Sequence, residues 1–472
     1  MAQLPIVGPA YESKSKDQST QQCINWYLEQ GADGTATALM PTPGLISFST
    51  PGGTSNSMRA MHEHKGILYA VMSDTLYSIS STGTATSLGS LNSTTGLVSI
   101  ASVDDELLVV DGTNGYSYIP TSTIFTVITD SDFPDGTETV TAQDGFFITN
   151  EPDTGRFRIS RLLDGLTWDT LDFASAEGVP DNLQTCYSDN RQLWLFGDRT
   201  TEIWYNAGSS FPFARIDGVF IDMGTPAKAS VSKIDNTLFW LAQDRNGSLS
   251  IVKANGFTPQ VISTPAISYQ ISTYNTVSDA FAITYGHEGH LFYALTFPTE
   301  GVTWVYDALT GTWHERSSFA DTIHTRWRAN CYANVYGKHF VGDYTSGTIY
   351  QLDGDTYTED GAVITRTRIT QHVALEKRIF SVYNLVIDFE RGVGLNTGQG
   401  SDPKYMLSVS KDGGNTYGNE MWRSPGKIGV YDERAVWTRL GRARSMTFKL
   451  KITDPVKAII LAASAGIEVG AQ

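Results

Sequence analysis

Two histidines flank an acid in His287-Glu288-Gly289-His290, the side chains a helical zinc site would use. Such a site needs its histidines at i and i+4 on one helix face. Position 291 is Leu and a glycine interrupts the run, so the segment reads as a turn. His62 and His64 flank Glu63 ahead of an apolar run and read the same way. Acidic loops occur at Asp130, Asp132, Asp135 and Glu138, and again at Asp353, Asp355, Glu359 and Asp360. Neither places a glycine and a terminal bidentate acid at calcium-loop offsets, which leaves at most a weak surface calcium site. No cofactor is expected. The segment Ser410-Lys411-Asp412-Gly413-Gly414-Asn415-Thr416-Tyr417 follows the pattern Ser-x-Asp-x-Gly-x-Thr-aromatic, the Asp-box. There Ser410, Asp412, Gly414, Thr416 and Tyr417 build a hairpin turn in which Asp and Thr side chains bond local backbone N–H groups. That is scaffold, not an active site. Arg366 and Arg368, with Lys377 and Arg378, open a basic C-terminal part. They suit contact with a DNA channel or an acidic partner, and equally a solvated strand face. No Gly-rich phosphate loop, Gly-x-Ser-x-Gly elbow or Cys/His zinc pattern occurs.

The elements that must carry these residues are strands. A polar turn, three to five apolar or aromatic residues, a second turn and an alternating strand recur through the middle of the chain. His64-Lys65-Gly66 precedes Ile67 to Val71, Asp104-Asp105-Glu106 precedes Leu107 to Val110, and Asp144-Gly145 precedes Phe146 to Ile148. Asn190-Arg191-Gln192, Asp235-Asn236, His287-Glu288-Gly289 and Tyr336-Gly337-Lys338 open four more such units. Starts near 65, 104, 143, 190, 235, 288 and 336 lie about 39 to 53 residues apart, the spacing of propeller blades. A four-stranded blade cannot bury both faces alone, so blades stack radially and close into a ring. The expected fold is all-β: a β-propeller of about seven blades with an additional C-terminal β-sandwich-like domain. The boundaries are 1–58 for an extended N-terminal segment, 59–365 for the propeller and 366–472 for the C-terminal β domain. Arg391 to Gly400, rich in glycine, reads as a loop of that last domain.

Composition agrees. The chain has 472 residues, 44 glycines, 22 tyrosines and 10 tryptophans, which suits short strands and tight turns. Its formal net charge is −16, which argues against non-specific DNA binding by the whole surface. By count, residues 362–472 carry 16 Lys+Arg against 10 Asp+Glu, so the preceding part holds about −22. Three scattered cysteines, Cys23, Cys186 and Cys331, give no disulfide framework and fit folding in a reducing cytoplasm. The N-terminus shows no signal peptide, and the apolar stretch from Ala458 to Ile467 is too short to span a bilayer, so no membrane insertion is expected.

Several segments resemble one family. Asp172 to Asp181, Leu193-Trp194-Leu195-Phe196-Gly197 and Thr201-Glu202-Ile203-Trp204 carry the likeness, with Asn25-Trp26-Tyr27-Leu28-Glu29 and Pro41-Thr42-Pro43-Gly44-Leu45 before them. Ser410 to Tyr417, Ile428-Gly429 and Trp437 to Arg442 extend it toward the C-terminus. Together they resemble the packaged-DNA stabilisation proteins, or tail hub (nozzle) proteins, of short-tailed bacteriophages. The resemblance implies a structural virion protein without enzymatic activity, assembled in the bacterial host cytoplasm into the tail. It implies a homo-oligomer, a hexameric ring beneath the portal and its adaptor protein, continuing the channel for packaged dsDNA. A tail needle or plug and tailspikes or fibres would be its other partners. An acidic chain suits such a conduit, because a basic bore would hold DNA by many phosphate contacts. Two alternatives stand beside it: a tail fibre or spike-attachment propeller protein, and a carbohydrate-active propeller enzyme of sialidase type. The enzyme would need clustered arginines and a tyrosine nucleophile with an acidic partner, which no sequence motif here gathers.

Overall fold

Each of the seven sequence units is a hairpin whose turn begins with a left-handed residue. Lys65, Asp104, Asp144, Asn190, Asp235, Glu288 and Tyr336 all have φ between 47° and 56°. Two-residue hairpins need that geometry to match the twist of their strands, and Gly, Asn and Asp provide it at least cost. The computed structural model describes residues 2–16, 18–54, 56–176, 178, 180–320, 323–375 and 378–470. Within it the hairpins grow into seven antiparallel blades, at 58–90, 99–127, 140–175, 183–221, 223–261, 281–315 and 329–353. In each, the strand before the hairpin turn lies on the inside of the ring. The helix α1 (Pro265–Ser272) is short, capped by Thr264, and packs Ile267 and Ile271 against the fifth and sixth blades.

Residues 1–58 correct the expectation of an extended entry. They contain β1 (Ala2–Leu4), β2 (Gln22–Ile24), β3 (Trp26–Gln30), β4 (Ala36–Pro41) and β5 (Gly44–Ser49). Strand β5 pairs antiparallel with Ile349–Asp353 as the fourth strand of the seventh blade, with Thr358–Glu359 beyond it. The ring is thus closed by the two ends of the propeller chain. Met58, Leu68, Ala70 and Met72 of the first blade pack there against Cys331, Ala333, Val335 and Phe340 of the seventh. Tyr336 donates to Ile79 O at 2.6 Å and Asn330 Nδ2 to Met58 O at 2.8 Å across the same join.

Strands β1 to β4 belong elsewhere. In the C-terminal sandwich one sheet runs β3, β4, Ile460–Val469, Phe380–Phe389 and Ala435–Ala443, with β1 also on Ile460–Val469. The other runs β2, Arg366–Ile369, Ser445–Ile452, Tyr405–Ser410 and Met421–Arg423. Leu4, Ile6, Trp26, Leu28 and Leu39 are part of its core, beside Phe380, Tyr405, Trp437 and Phe448. Strand β2 also pairs in parallel with the outer strand of the sixth blade at Ile24 and Glu315, so one hydrogen-bonded sheet crosses from propeller to sandwich.

That crossing carries a pH consequence. His314, on the same outer strand, is 3% exposed and neither ring nitrogen has a partner. Burial pushes its pKa down to about 3. A histidine that stays neutral when folded contributes fully above its unfolded value near 6.5, and that contribution is lost as pH falls toward the folded value. One such site removes up to about 1.4 kcal/mol per pH unit in that window. His62 and His324, both lowered to about 4 by burial, act in the same direction. His314→Phe, which meets Phe292 in the same edge-on packing, is expected to flatten the loss of stability between pH 6.5 and 4. Urea midpoints at half-unit pH steps measure this, and an unchanged slope would refute it.

Candidate functional site

The join between propeller and sandwich is built on one strand. Alternate side chains of β3 enter different domains: Trp26 and Leu28 pack in the sandwich core, while Tyr27 packs with Phe292, Val341 and Tyr350 of the propeller. Trp26 is fully buried, and its Nε1 donates to Ala458 O at 2.8 Å. Tyr27 donates its hydroxyl proton to Glu288 at 2.8 Å. Glu29 contacts His290 Nε2 at 2.8 Å, and His290 Nδ1 meets Asp307 at 2.7 Å. Burial alone would lower the His290 pKa, but its bonds to Asp307 and Glu29 raise it overall. His290 therefore acts opposite to His314: its contribution is complete below about 6.5 and is lost as pH rises through the raised value. The His287–His290 segment is a hairpin turn, with Glu288 and Gly289 both at positive φ. Among the described residues, no group of three His, Cys, Asp or Glu side chains is placed to hold a metal ion.

The four basic residues singled out in the sequence separate. Arg366 and Arg368 are 0% and 1% exposed, so the expectation that they face a channel or a partner is corrected for this chain. They occupy inward positions of Arg366–Ile369, opposite Ile452 and Leu450. Lys377 lies outside the described residues. Arg378 is exposed, and its backbone N–H donates to Leu375 O at 2.7 Å. Arg368 holds the N-terminal segment: Nε donates to Ile6 O at 2.8 Å, Nη2 to Gly8 O at 3.1 Å and Nη1 to Gln22 O at 3.4 Å. Arg368→Met strands those carbonyls, and each buried acceptor left unpaired costs about 1–3 kcal/mol. The expected loss is about 3 kcal/mol, with faster amide exchange at residues 6–10. Unaltered exchange there would sink this role.

Exposed cations of the sandwich include a group on Ala435–Ala443 and its flanks, beside the exposed acids Asp432 and Glu433. Arg434, Arg439, Arg442 and Arg444 are exposed, with Lys411 above Gly441. Arg439 and Gly441 take φ of 59° and 95°, opposite an irregularity in the pairing with Phe380–Phe389. That pairing is on one side only, so the strand is the edge of its sheet. Arg423 Nε covers part of the other side by donating to Val436 O at 3.0 Å. Charged side chains on an edge discourage strand addition, and a row of them suits an anionic partner. Sequence reading missed this row because Arg439 and Arg442 are three apart, in phase only across a bulge.

The Asp-box forms the turn between Tyr405–Ser410 and Met421–Arg423. Asp412 accepts from the Thr416 hydroxyl at 2.5 Å, from Thr416 N at 3.0 Å and from Ser410 Oγ at 2.7 Å. These bonds hold its carboxyl well below the usual carboxylate range. Gly414 has φ 82° and backs closely onto Thr20 of the N-terminal segment, leaving no room for a Cβ. Lys449 Nζ lies 5.5 Å from the Tyr417 ring centre.

At the inner side of the ring lies an open cavity of about 710 Å³, lined among others by Arg59, Lys228, Asp279, Phe281, Arg326 and Tyr332. Arg326 stacks on Tyr344, its guanidinium carbon 3.6 Å from the ring centre. Lys228 pairs with Glu138, the acid of the first acidic loop.

Comparison with known proteins follows the same two-part division. Residues 2–357 match the family model described as Bacteriophage P22 Gp10, β-propeller. Residues 365–468 match the model described as Bacteriophage P22 Gp10, β-sandwich. No curated protein matches the chain. Among solved structures, the N-terminal domain of Nup159 is similar at 9% identity and TM-score 0.40, covering 71% of this chain and 99% of that one. The Neurospora crassa Pan2 WD40 domain is similar at 8% identity and TM-score 0.41, covering 67% and 97%.

Proposed function

The chain belongs to the Bacteriophage P22 Gp10 family of phage stabilisation proteins, and from that membership we propose that it is the tail hub, or nozzle, of a short-tailed phage. The family is one of phage structural proteins, not of enzymes. In this reading six copies form a ring below the portal and its adaptor protein, retain packaged dsDNA and continue its exit channel. The ring docks a needle or plug and carries tailspikes or fibres. The observation that carries the proposal is that both family models match, propeller and sandwich, over nearly the whole chain. The geometry supports it: a closed seven-bladed ring is fused to the sandwich by shared strands, which suits a part that transmits load. The exposed cations of Ala435–Ala443 offer a surface for DNA or for an acidic neighbour.

Negative-stain imaging of the protein mixed with portal–adaptor complexes tests this. A ring seated on the adaptor is the expected result, and particles lacking the protein should leak packaged DNA. An elongated trimer at the tail periphery would overturn the reading in favour of a fibre or spike attachment. Heterologous contacts that close into a ring are required of any such assembly.

A further inference from the structure

Five arginines are buried among the described residues, and four of them have hydrogen-bond acceptors, Arg326 in Asn330 Oδ1 at 3.4 Å. Arg59 donates to the carbonyls of Ser73, Ser93, Thr95 and Gly96 at 2.7–3.0 Å. Arg316 donates to Pro43 O at 2.7 Å and to the Tyr285 hydroxyl at 3.0 Å, and stacks on Trp327 at 3.7 Å. Arg368 is bonded to three carbonyls as described. Arg366 differs. It is 0% exposed, and Nε, Nη1 and Nη2 all lack a hydrogen-bond partner.

Its surroundings are short of acceptors. Arg366 is paired opposite Ile452, and Ile452 opposite Tyr405, so Arg366 and Tyr405 point to the same side of the sheet. The Tyr405 hydroxyl is also buried and unpartnered. The carboxylate of Glu390 is taken by Lys457, whose Nζ lies 3.4 Å from one of its oxygens and donates to the other at 3.5 Å. The Tyr357 ring, its centre 5.7 Å from the Arg366 guanidinium carbon, lines an open cavity of about 480 Å³ with Lys457, Asp355, Gly392 and Gly394, and Arg366 lies behind that wall. A buried guanidinium without a counter-charge is strongly disfavoured, and buried donors are satisfied by protein, water or an ion. Water would satisfy the hydrogens but leave the charge. A planar two-oxygen anion satisfies both, because it matches the guanidinium fork.

We infer that the junction between the seventh blade and the sandwich binds an oxyanion, a phosphate or a carboxylate, between Arg366 and Lys457, reached through the cavity beside Tyr357. The site is independent of the tail-hub reading, and its failure would leave that reading untouched.

Isothermal titration calorimetry of the full chain in chloride buffer, with inorganic phosphate and separately with sodium acetate, tests the site. Saturable binding of one equivalent is expected from at least one of them, weakened at least tenfold in Arg366→Met and severalfold in Lys457→Met. Phosphate binding alone assigns a phosphate or phosphoryl group. Acetate binding alone assigns a carboxylate, such as a side chain or chain end of a partner. Binding of both assigns an unselective oxyanion pocket. Arg366→Met is expected to melt at or above the wild-type temperature in anion-poor buffer, because the bare charge is gone. Should that variant not fold, Arg366→Lys keeps the charge but not the fork, and tenfold weakening is expected of it as well. No saturable heat from either anion, or equal binding by the Arg366 variant, overturns the site.

Discussion

A chain lacking residues 2–49 is expected to show no cooperative unfolding transition, although every hairpin of the propeller repeat is still present. Two losses coincide. Without β5 the seventh blade ends at Ile349–Asp353, whose outer edge is then unpaired, and the ring loses the strand that closes it. Leu45, 1% exposed among the side chains between the sixth and seventh blades, goes with it. Without β1 to β4 the sandwich loses Leu4, Ile6, Trp26, Leu28 and Leu39 from its core. Burying a large apolar side chain contributes about 1.5–3 kcal/mol, so five of them amount to roughly 10 kcal/mol. A whole domain is stable by only about 5–15 kcal/mol. Deletion therefore consumes the entire margin of the sandwich before the severed sheet to the sixth blade is considered. Circular dichroism melts of the truncated and full chains decide the matter. A sharp transition with a normal near-ultraviolet spectrum in the truncated chain would show that propeller and sandwich fold without the shared strands.

This dependence explains what could and could not be read from the residues. The seven blades were legible because each inner hairpin needs a left-handed first turn residue, and Asp104, Asp144, Asn190 and Asp235 show it. The apolar run after each turn then marks a strand buried on both faces. Strands β1, β2 and β5 carry no such mark, since their partners lie some 300 residues or more away in the chain, as in Ser49 with Ile349, and the β3–β4 hairpin meets the rest of its sheet only at that range, as in Leu39 with Ile460. Pairing at that range leaves no local turn to recognise. Thr365-Arg366-Thr367-Arg368 misled for a related reason. Alternating Thr and Arg resembles a half-solvated strand, yet both sides of Arg366–Ile369 are covered: Thr367 is 3% exposed and Arg366 0%. The residues that carried the family resemblance read differently in the structure. Asn25 to Glu29 and Pro43-Gly44 are where the two domains are tied. At Gly44 an added Cβ would collide with the carbonyls of Thr356 and Thr358.

Asn25 is where a single substitution should cost most. Its φ is 61°, a left-handed conformation that Asn tolerates and Ala does not, with a penalty of about 1 kcal/mol or more. The side chain is 1% exposed and fully engaged. Its Nδ2 donates to Ser317 O at 2.8 Å and to Thr365 O at 2.9 Å, and its Oδ1 accepts from Ser317 N at 2.9 Å. Its own backbone bonds Glu315 O at 2.9 Å and accepts from Thr42 N at 3.2 Å. Asn25 thus holds together the end of the sixth blade, the entry to the sandwich and the N-terminal hairpin. Removing the amide strands three buried backbone groups at about 1–3 kcal/mol each, so Asn25→Ala is expected to lose about 5 kcal/mol. Asn25→Gly loses the same bonds but not the backbone fit, and should be less destabilised by about 1 kcal/mol. Asn25→Asp keeps the acceptor for Ser317 N and loses both donors, placing a carboxylate against two carbonyls; it should be at least as damaging as Ala. Urea unfolding of the three variants separates the contributions. If Gly proves as unstable as Ala, the left-handed backbone is not part of the cost. If all three stay within about 1 kcal/mol of wild type, Asn25 does not tie the domains together and the rigid join must rest on Trp26 and its neighbours alone.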